Sequence, residues 1–103
     1  MTRRKEPNDV RVRRALDVLG PRWNGAILHA LVTDGELRFG ELRRRVSGIS
    51  DKSLSGRLSD LETIGMVARR IESGRPPRTL YRVTPKGDGL AAIFAMLAKW
   101  GGP

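Results

Sequence analysis

The chain has 103 residues, no cysteine and a formal charge of +9, from 20 lysines and arginines against 11 acidic residues. That length predicts one domain around one core and leaves no room for a separate catalytic or ligand-binding domain. The missing cysteines exclude disulfides, thiolate zinc sites, cysteine nucleophiles and thiol switches, and the basic balance points to a polyanion, nucleic acid before an anionic membrane.

At 39% hydrophobic the chain can fold. Thr2 to Glu6 is charged and lacks the apolar run of a signal peptide. No stretch approaches the ~18 apolar residues of a membrane span. A cytoplasmic, nucleoid-associated location without a membrane partner is the expectation.

Residues 1–7 read as a flexible basic arm, with Arg3, Arg4 and Lys5 adding non-specific affinity or only solubility. Residues 8–103 read as a single domain. Val12, Ala15, Leu16 and Leu19 repeat at helical spacing, with Asn8 or Asp9 as cap and Gly20 as stop. Pro21 suits the first position of a second helix, whose apolar stripe is Trp23, Ile27, Ala30 and Leu31 and which ends at Gly35. Leu37-Arg38-Phe39 is too short to assign and could pair as a small edge strand. A short third helix turns Phe39, Leu42 and Val46 inward and Arg43, Arg44 and Arg45 largely outward. The turn Ser47-Gly48-Ile49-Ser50 follows.

Ser50 is a good N-cap, and Ile49 and Leu54 have the spacing of a hydrophobic staple. A fourth helix over about 50–64 buries Leu54, Leu58 and Leu61, with Ile64 at its end and Gly65 after it. Met66 to Glu72 and Thr79 to Val83 form a hairpin over about 66–84, with Gly74 and Pro76-Pro77 in its loop. Thr84 caps a last helix that starts at Pro85 and runs to about Lys99. Leu90, Ile93, Phe94, Leu97 and Trp100 lie on one of its sides. The fold class is α+β, mostly helical: two helices joined by a Gly-containing turn, then a hairpin, which is the outline of a helix-turn-helix with a wing.

If the fourth helix buries its leucines, its opposite face carries Lys52, Ser53, Gly56, Arg57 and Asp60. Serine and arginine there can reach base edges, arginine forming a fork onto guanine O6 and N7. Gly56 permits close approach to a groove, and the helix N-terminus suits a phosphate. A solvated helix face is the plain alternative; the wing and the charge favour DNA contact. Arg75 and Arg78 flank the hairpin tip, where they suit phosphates or a narrow minor groove. One of Arg43, Arg44 and Arg45 is expected on phosphate. The candidate DNA-contacting set is Ser50, Lys52, Ser53, Gly56, Arg57, Arg43, Arg75 and Arg78. His29 reads as a half-buried structural residue, and Trp23 and Trp100 as packing residues. No metal set, P-loop, GxGxxG run or Ser/His/Asp combination is present, so no cofactor, metal or catalysis is expected.

The chain resembles the HxlR family of winged helix-turn-helix bacterial transcription regulators. The matching runs begin with Leu19-Gly20-Pro21-Arg22-Trp23, Ile27-Leu28-His29-Ala30-Leu31 and Leu37-Arg38-Phe39-Gly40-Glu41-Leu42. They continue with Gly48-Ile49-Ser50-Asp51-Lys52-Ser53-Leu54, Arg57-Leu58-Ser59-Asp60-Leu61-Glu62 and Gly65-Met66-Val67. The last is Pro77-Arg78-Thr79-Leu80-Tyr81-Arg82-Val83-Thr84-Pro85-Lys86-Gly87. Order and spacing together carry the resemblance, over roughly Val12 to Trp100.

The resemblance implies a homodimer built from extra N- and C-terminal dimerisation helices, through Val12, Leu16, Leu90, Phe94, Leu97 and Trp100. It implies a palindromic operator in double-stranded DNA, read by the fourth helix in the major groove and by wings at the minor groove. Many members sense oxidants or aldehydes with a cysteine before the first helix; around Pro7 to Asp9 this chain has none. Any small-molecule effector must therefore act without thiol chemistry, and by analogy it would sit between the dimerisation helices and the winged core. The alternatives are a non-specific architectural nucleic-acid binder and a winged-helix protein–protein adaptor.

Overall fold

The computed structural model describes residues 6–103, so Arg3, Arg4 and Lys5 lie outside the described residues. The elements are α1 (Asn8–Leu19), α2 (Asn24–Asp34), β1 (Leu37–Arg38), α3 (Phe39–Arg45), α4 (Asp51–Thr63), β2 (Val67–Glu72), β3 (Arg78–Val83) and α5 (Leu90–Gly101). A 3-10 turn over Pro85–Gly87 precedes α5. The sheet has the order β1-β3-β2, and both pairings are antiparallel. Val67 faces Val83 and Glu72 faces Arg78, while β1 pairs Leu37 with Tyr81. Two residues thus suffice for an edge strand, because β3 supplies the ladder.

The core is a leucine-rich cluster. Ile27, Leu28 and Leu31 come from α2, Leu42 from α3, and Leu54, Leu58 and Leu61 from α4; Met66, Val67, Tyr81 and Leu90 close it. Each fully buried leucine contributes about 1.5–3 kcal/mol, so the two helices of the helix-turn-helix are fixed through their apolar stripes.

Helix α4 is fixed at both ends. Ser50 Oγ accepts from the Ser53 amide at 3.0 Å, and the stapling pair Ile49 and Leu54 is buried. At the other end Gly65 N donates to Glu62 O (3.0 Å) and Met66 N to Leu61 O (2.9 Å), with Gly65 at φ 80°. That is a Schellman ending, with its apolar contact supplied by Leu61 and Met66. The run after β3 clamps the same end. Thr84 Oγ1 donates to Gly65 O (2.5 Å) and Lys86 Nζ to Ile64 O (2.7 Å), a cation on the carbonyl end of a helix. Gly87 packs so tightly that a Cβ there would meet Val83 Cγ1 at 2.3 Å.

Two boundaries differ from the sequence expectation. Pro21 does not open α2: Asn24 N donates to Pro21 O (3.1 Å) in a turn, and Trp23 has φ 78°, outside helical geometry. The last helix does not run from Pro85. The 3-10 turn ends at the close packing of Gly87, Gly89 takes φ 94°, and α5 starts only at Leu90. The turn holds the chain against the C-terminal end of α4 before α5 departs.

The terminal helices are sparsely buried. No residue of α1 is buried, and Val12 and Leu16 are 55% and 58% exposed. In α5 only Leu90 is buried, at 7%, with Phe94 half-buried. Leu90 therefore belongs to the chain's own core, which corrects its assignment to a dimer surface. His29 is exposed rather than half-buried, with its ring centroid 5.0 Å from that of Phe94. Among the described residues no helix is long and apolar enough to cross a membrane.

Candidate nucleic-acid interface

With Leu54, Leu58 and Leu61 inward, α4 presents Lys52, Ser53, Gly56 and Arg57 along the opposite side. These four line one side of an open cleft of about 590 Å³, and Arg22 and Trp23 line the other. Nothing lies within 4 Å of where a Gly56 Cβ would stand. Its missing side chain therefore fills no packing need inside the chain. Arg57 is engaged by Asp60 one turn on (Nη2–Oδ2 2.5 Å). A solvent-exposed pair of this kind is worth at most about 1 kcal/mol, so the guanidinium is readily exchanged onto a stronger acceptor. Lys52 forms no ion pair among the described residues.

Arg43 sits across the helix-turn-helix turn from Asp51 (Nε–Oδ1 3.2 Å), and Arg45 pairs with Asp34 (2.9 Å). Of the three consecutive arginines, only Arg44 has no ion pair among the described residues. Ser50 is occupied as the cap of α4.

The wing has a fixed root and a bare tip. Arg70 on β2 forks onto Glu36 beside β1, through Nε–Oε2 (2.9 Å) and Nη2–Oε1 (2.7 Å). That hydrogen bond, more than the charge of Arg70 itself, holds the Glu36 carboxyl below its usual range. Burial pushes the Tyr81 phenol in the central strand upward. Residues 73–78 are all exposed, and Arg75 and Arg78 form no ion pair among them or with the other described residues. Arg75, Arg78, Lys52 and Arg57 thus belong to two exposed basic elements joined rigidly through the Gly65–Thr84 clamp.

Sequence reasoning missed Arg22. The residue precedes Trp23, and its guanidinium carbon lies over the indole, 4.5 Å from the ring centroid. The Pro21-Arg22-Trp23 run reads as a helix start, and only the left-handed Trp23 reveals the corner.

Elsewhere, α5 carries a nearly all-apolar surface of Ala92, Ile93, Met96, Leu97 and Trp100, the last 87% exposed. Val12 and Leu16 supply further exposed apolar side chains on α1. A groove of about 360 Å³ separates α2 from α5, lined by Gly25, Ala26, His29, Phe94, Leu97 and Ala98. Among the described residues no group of three or more His, Cys, Asp or Glu could hold a metal ion.

A helix-turn-helix whose second helix is capped, clamped to a hairpin wing and faced with Lys, Ser, Gly and Arg defines a winged helix-turn-helix DNA-binding protein. Residues 18–103 match the family described as HxlR-like helix-turn-helix, and the chain belongs to it. It is 40% identical over 86 residues to the HTH-type transcriptional regulator YodB of Bacillus subtilis, covering 84% of this chain and 76% of the relative. The reduced form of YodB superposes with a TM-score of 0.76 at 38% identity, covering 87% of each chain. The redox regulator HypR in its oxidized form gives a TM-score of 0.79 at 34% identity, covering 88% of this chain and 93% of that one. YodB has also been solved after diamide treatment and with quinone bound. The chain is a DNA-binding transcriptional regulator, not an enzyme.

Proposed function

We propose that the chain acts as a homodimer on an inverted-repeat operator, with α4 in the major groove and the β2–β3 tip along the flanking minor groove. The observation that carries this reading is the outward face of α4. Three buried leucines lock the helix, and the face left over is Lys52, Ser53, Gly56 and Arg57, without a bulky apolar side chain. Arg57 reads a base edge, Lys52 and Ser53 reach the strand beside it, and Arg75 and Arg78 hold the flanking backbone. Ser50 and Arg43 stand at the edge of the same surface. Ser50 orients the α4 amides, and Arg43 leaves Asp51 for phosphate when DNA arrives. The second copy covers the exposed apolar residues Val12, Leu16, Leu97 and Trp100 and the half-buried Phe94. A two-fold dimer of this kind reads half-sites one or more helical turns apart.

The relatives YodB and HypR have been solved in distinct redox states. This chain has no cysteine, so a small-molecule effector would act without thiol chemistry; the α2–α5 groove at His29 is the place we assign to it. The protein works on chromosomal DNA in the cytoplasm.

Selection of bound duplexes from a random pool at about 150 mM salt tests the reading. An enriched inverted repeat is expected. Binding without enrichment would make the protein an architectural binder, and no binding would favour a protein adaptor. On the selected site, Arg57→Ala should lose roughly 1–3 kcal/mol and relax the preference at one position of each half-site.

A further inference from the structure

Trp23 occupies left-handed backbone (φ 78°), a conformation that a bulky side chain adopts only when its surroundings enforce it. Three contacts do so. Arg22 lies over one face of the indole. The far edge of the ring approaches the turn between α3 and α4, where a Cβ on Gly48 would stand 3.7 Å from Trp23 Cη2. Asn24, 3% exposed, donates Nδ2 to Val18 O at 2.8 Å and ties the corner to the end of α1. The corner is therefore braced against both α1 and the helix-turn-helix turn, and it forms the wall opposite α4 in the 590 Å³ cleft.

Electrostatics point the same way. Arg22, Lys52 and Arg57 converge on this cleft, and among the described residues only Arg57 has an acidic partner there, Asp60. Arg22 makes no side-chain hydrogen bond among the described residues. An exposed arginine ordinarily spreads over many rotamers. Held on an indole, it keeps a fixed position with its N–H edge available, and that edge matches two oxygens of one phosphate. A fixed donor loses less freedom on binding than a mobile one.

We propose that Arg22, held by Trp23, is a DNA-backbone contact: it grips a phosphate of the strand bordering the groove that α4 occupies, facing Lys52 across the cleft. The proposal rests on α4 being the groove-reading helix. It adds a second anchoring point, outside the helix-turn-helix and the wing, that sets how deeply α4 seats. Left-handed Trp23 serves this by turning the ring out of the line of α2 and under Arg22.

The test compares the full-length wild-type chain with Arg22→Gln, Arg22→Lys and Arg57→Ala, on the selected operator and on a scrambled duplex, between about 50 and 200 mM salt. Arg22→Gln should weaken both duplexes alike, by about ten-fold, and flatten the log–log salt dependence by about one ion per chain. Arg22→Lys should keep the slope and lose part of the affinity, since it keeps the charge without the fork. Unchanged binding and slope for Arg22→Gln, with Arg57→Ala weakened, would overturn the proposal and leave the α4 reading standing. A loss confined to the operator would make Arg22 a base contact and overturn the phosphate assignment. Wild-type protein that binds neither duplex would remove both readings. Thermal midpoints of the variants within those of the wild type confirm that binding, not folding, is being read.

Discussion

Helices α4 and α5 have 13 and 12 residues and opposite designs. Helix α4 buries three leucines and shows the solvent Lys, Ser, Gly and Arg; α5 buries Leu90 alone and shows Ile93, Met96, Leu97 and Trp100. Water satisfies the first face and not the second. A polar face at the end of a rigid scaffold waits for a polar ligand. A contiguous apolar face of that kind marks a protein interface. The same fold thus offers two surfaces of opposite chemistry, which the proposed function assigns to DNA and to a second copy of the chain.

The largest expected effect separates the two helices by one type of substitution. Leu58 is 1% exposed and Leu97 47%. Leu58→Ala should cost about 2–5 kcal/mol of folding stability, because it leaves a cavity in the shared leucine-rich core. Leu97→Asp should cost the fold of one chain little, roughly 0.5 kcal/mol, yet abolish dimers, because two-fold symmetry would bury a pair of unpaired carboxylates. Denaturant unfolding and sedimentation velocity read the two quantities separately. A Leu97→Asp protein that sediments like the wild type would move the dimer contact away from α5 and break the comparison.

What the sequence made legible follows the same division. The leucine repeat of α4, its Ser50 cap and Gly65 end are short-range patterns, and the structure has all three. The apolar repeat of α5 was equally visible, but it could not separate Leu90, which turns into the core, from Leu97 and Trp100, which do not. That depends on where the 3-10 turn aims the helix. A helix running from Pro85 would hold Gly87 and Gly89 in its interior. Only the contact of Gly87 with Val83 and the left-handed Gly89 turn them into a joint. The corner at Arg22 and Trp23 stayed hidden for a different reason. Positive φ at tryptophan has no sequence signal, and the partner of the ring, Gly48, is distant in the chain. Lys52, Ser53, Gly56 and Arg57 emerged as one face from helical spacing alone, whereas Arg22 needed the tertiary fold to join them.

A smaller effect sharpens the account of the α4 face. Glycine in the middle of a helix weakens it by roughly 0.5–1 kcal/mol relative to alanine. Since a Cβ at Gly56 meets nothing, Gly56→Ala should raise stability by about that amount in thermal or denaturant unfolding. Its DNA affinity should fall, because the new methyl group projects toward the groove. Gains in both stability and affinity would mean that α4 does not approach DNA closely at this point.

The smallest effect concerns the wing root, where β2 meets both α4, through Arg69 and Glu62, and the chain beside β1, through Arg70 and Glu36. Glu36 accepts the Arg70 fork, and its pKa is lowered from the usual 4.5. A carboxylate whose folded pKa is depressed adds stability above its unfolded pKa and loses it as the pH falls through the folded value. The contribution of the pair is therefore constant near neutrality and disappears below pH 4.5. Glu36→Gln should lower the thermal midpoint slightly at pH 7 and have no effect in the acid range where the wild type has lost the pair. The pair is solvent-exposed, so added salt should shrink the difference at pH 7 as well. Carbon-detected titration of the Glu36 carboxyl reads the same coupling directly: Arg70→Ala should return it to the ordinary range. Because Arg70 lies on the strand that carries the chain to the wing tip, the same variant should leave the tip less firmly aimed, and duplex affinity should fall without a change in which operator is chosen. An altered operator preference would mean that the wing contributes to sequence reading rather than to grip.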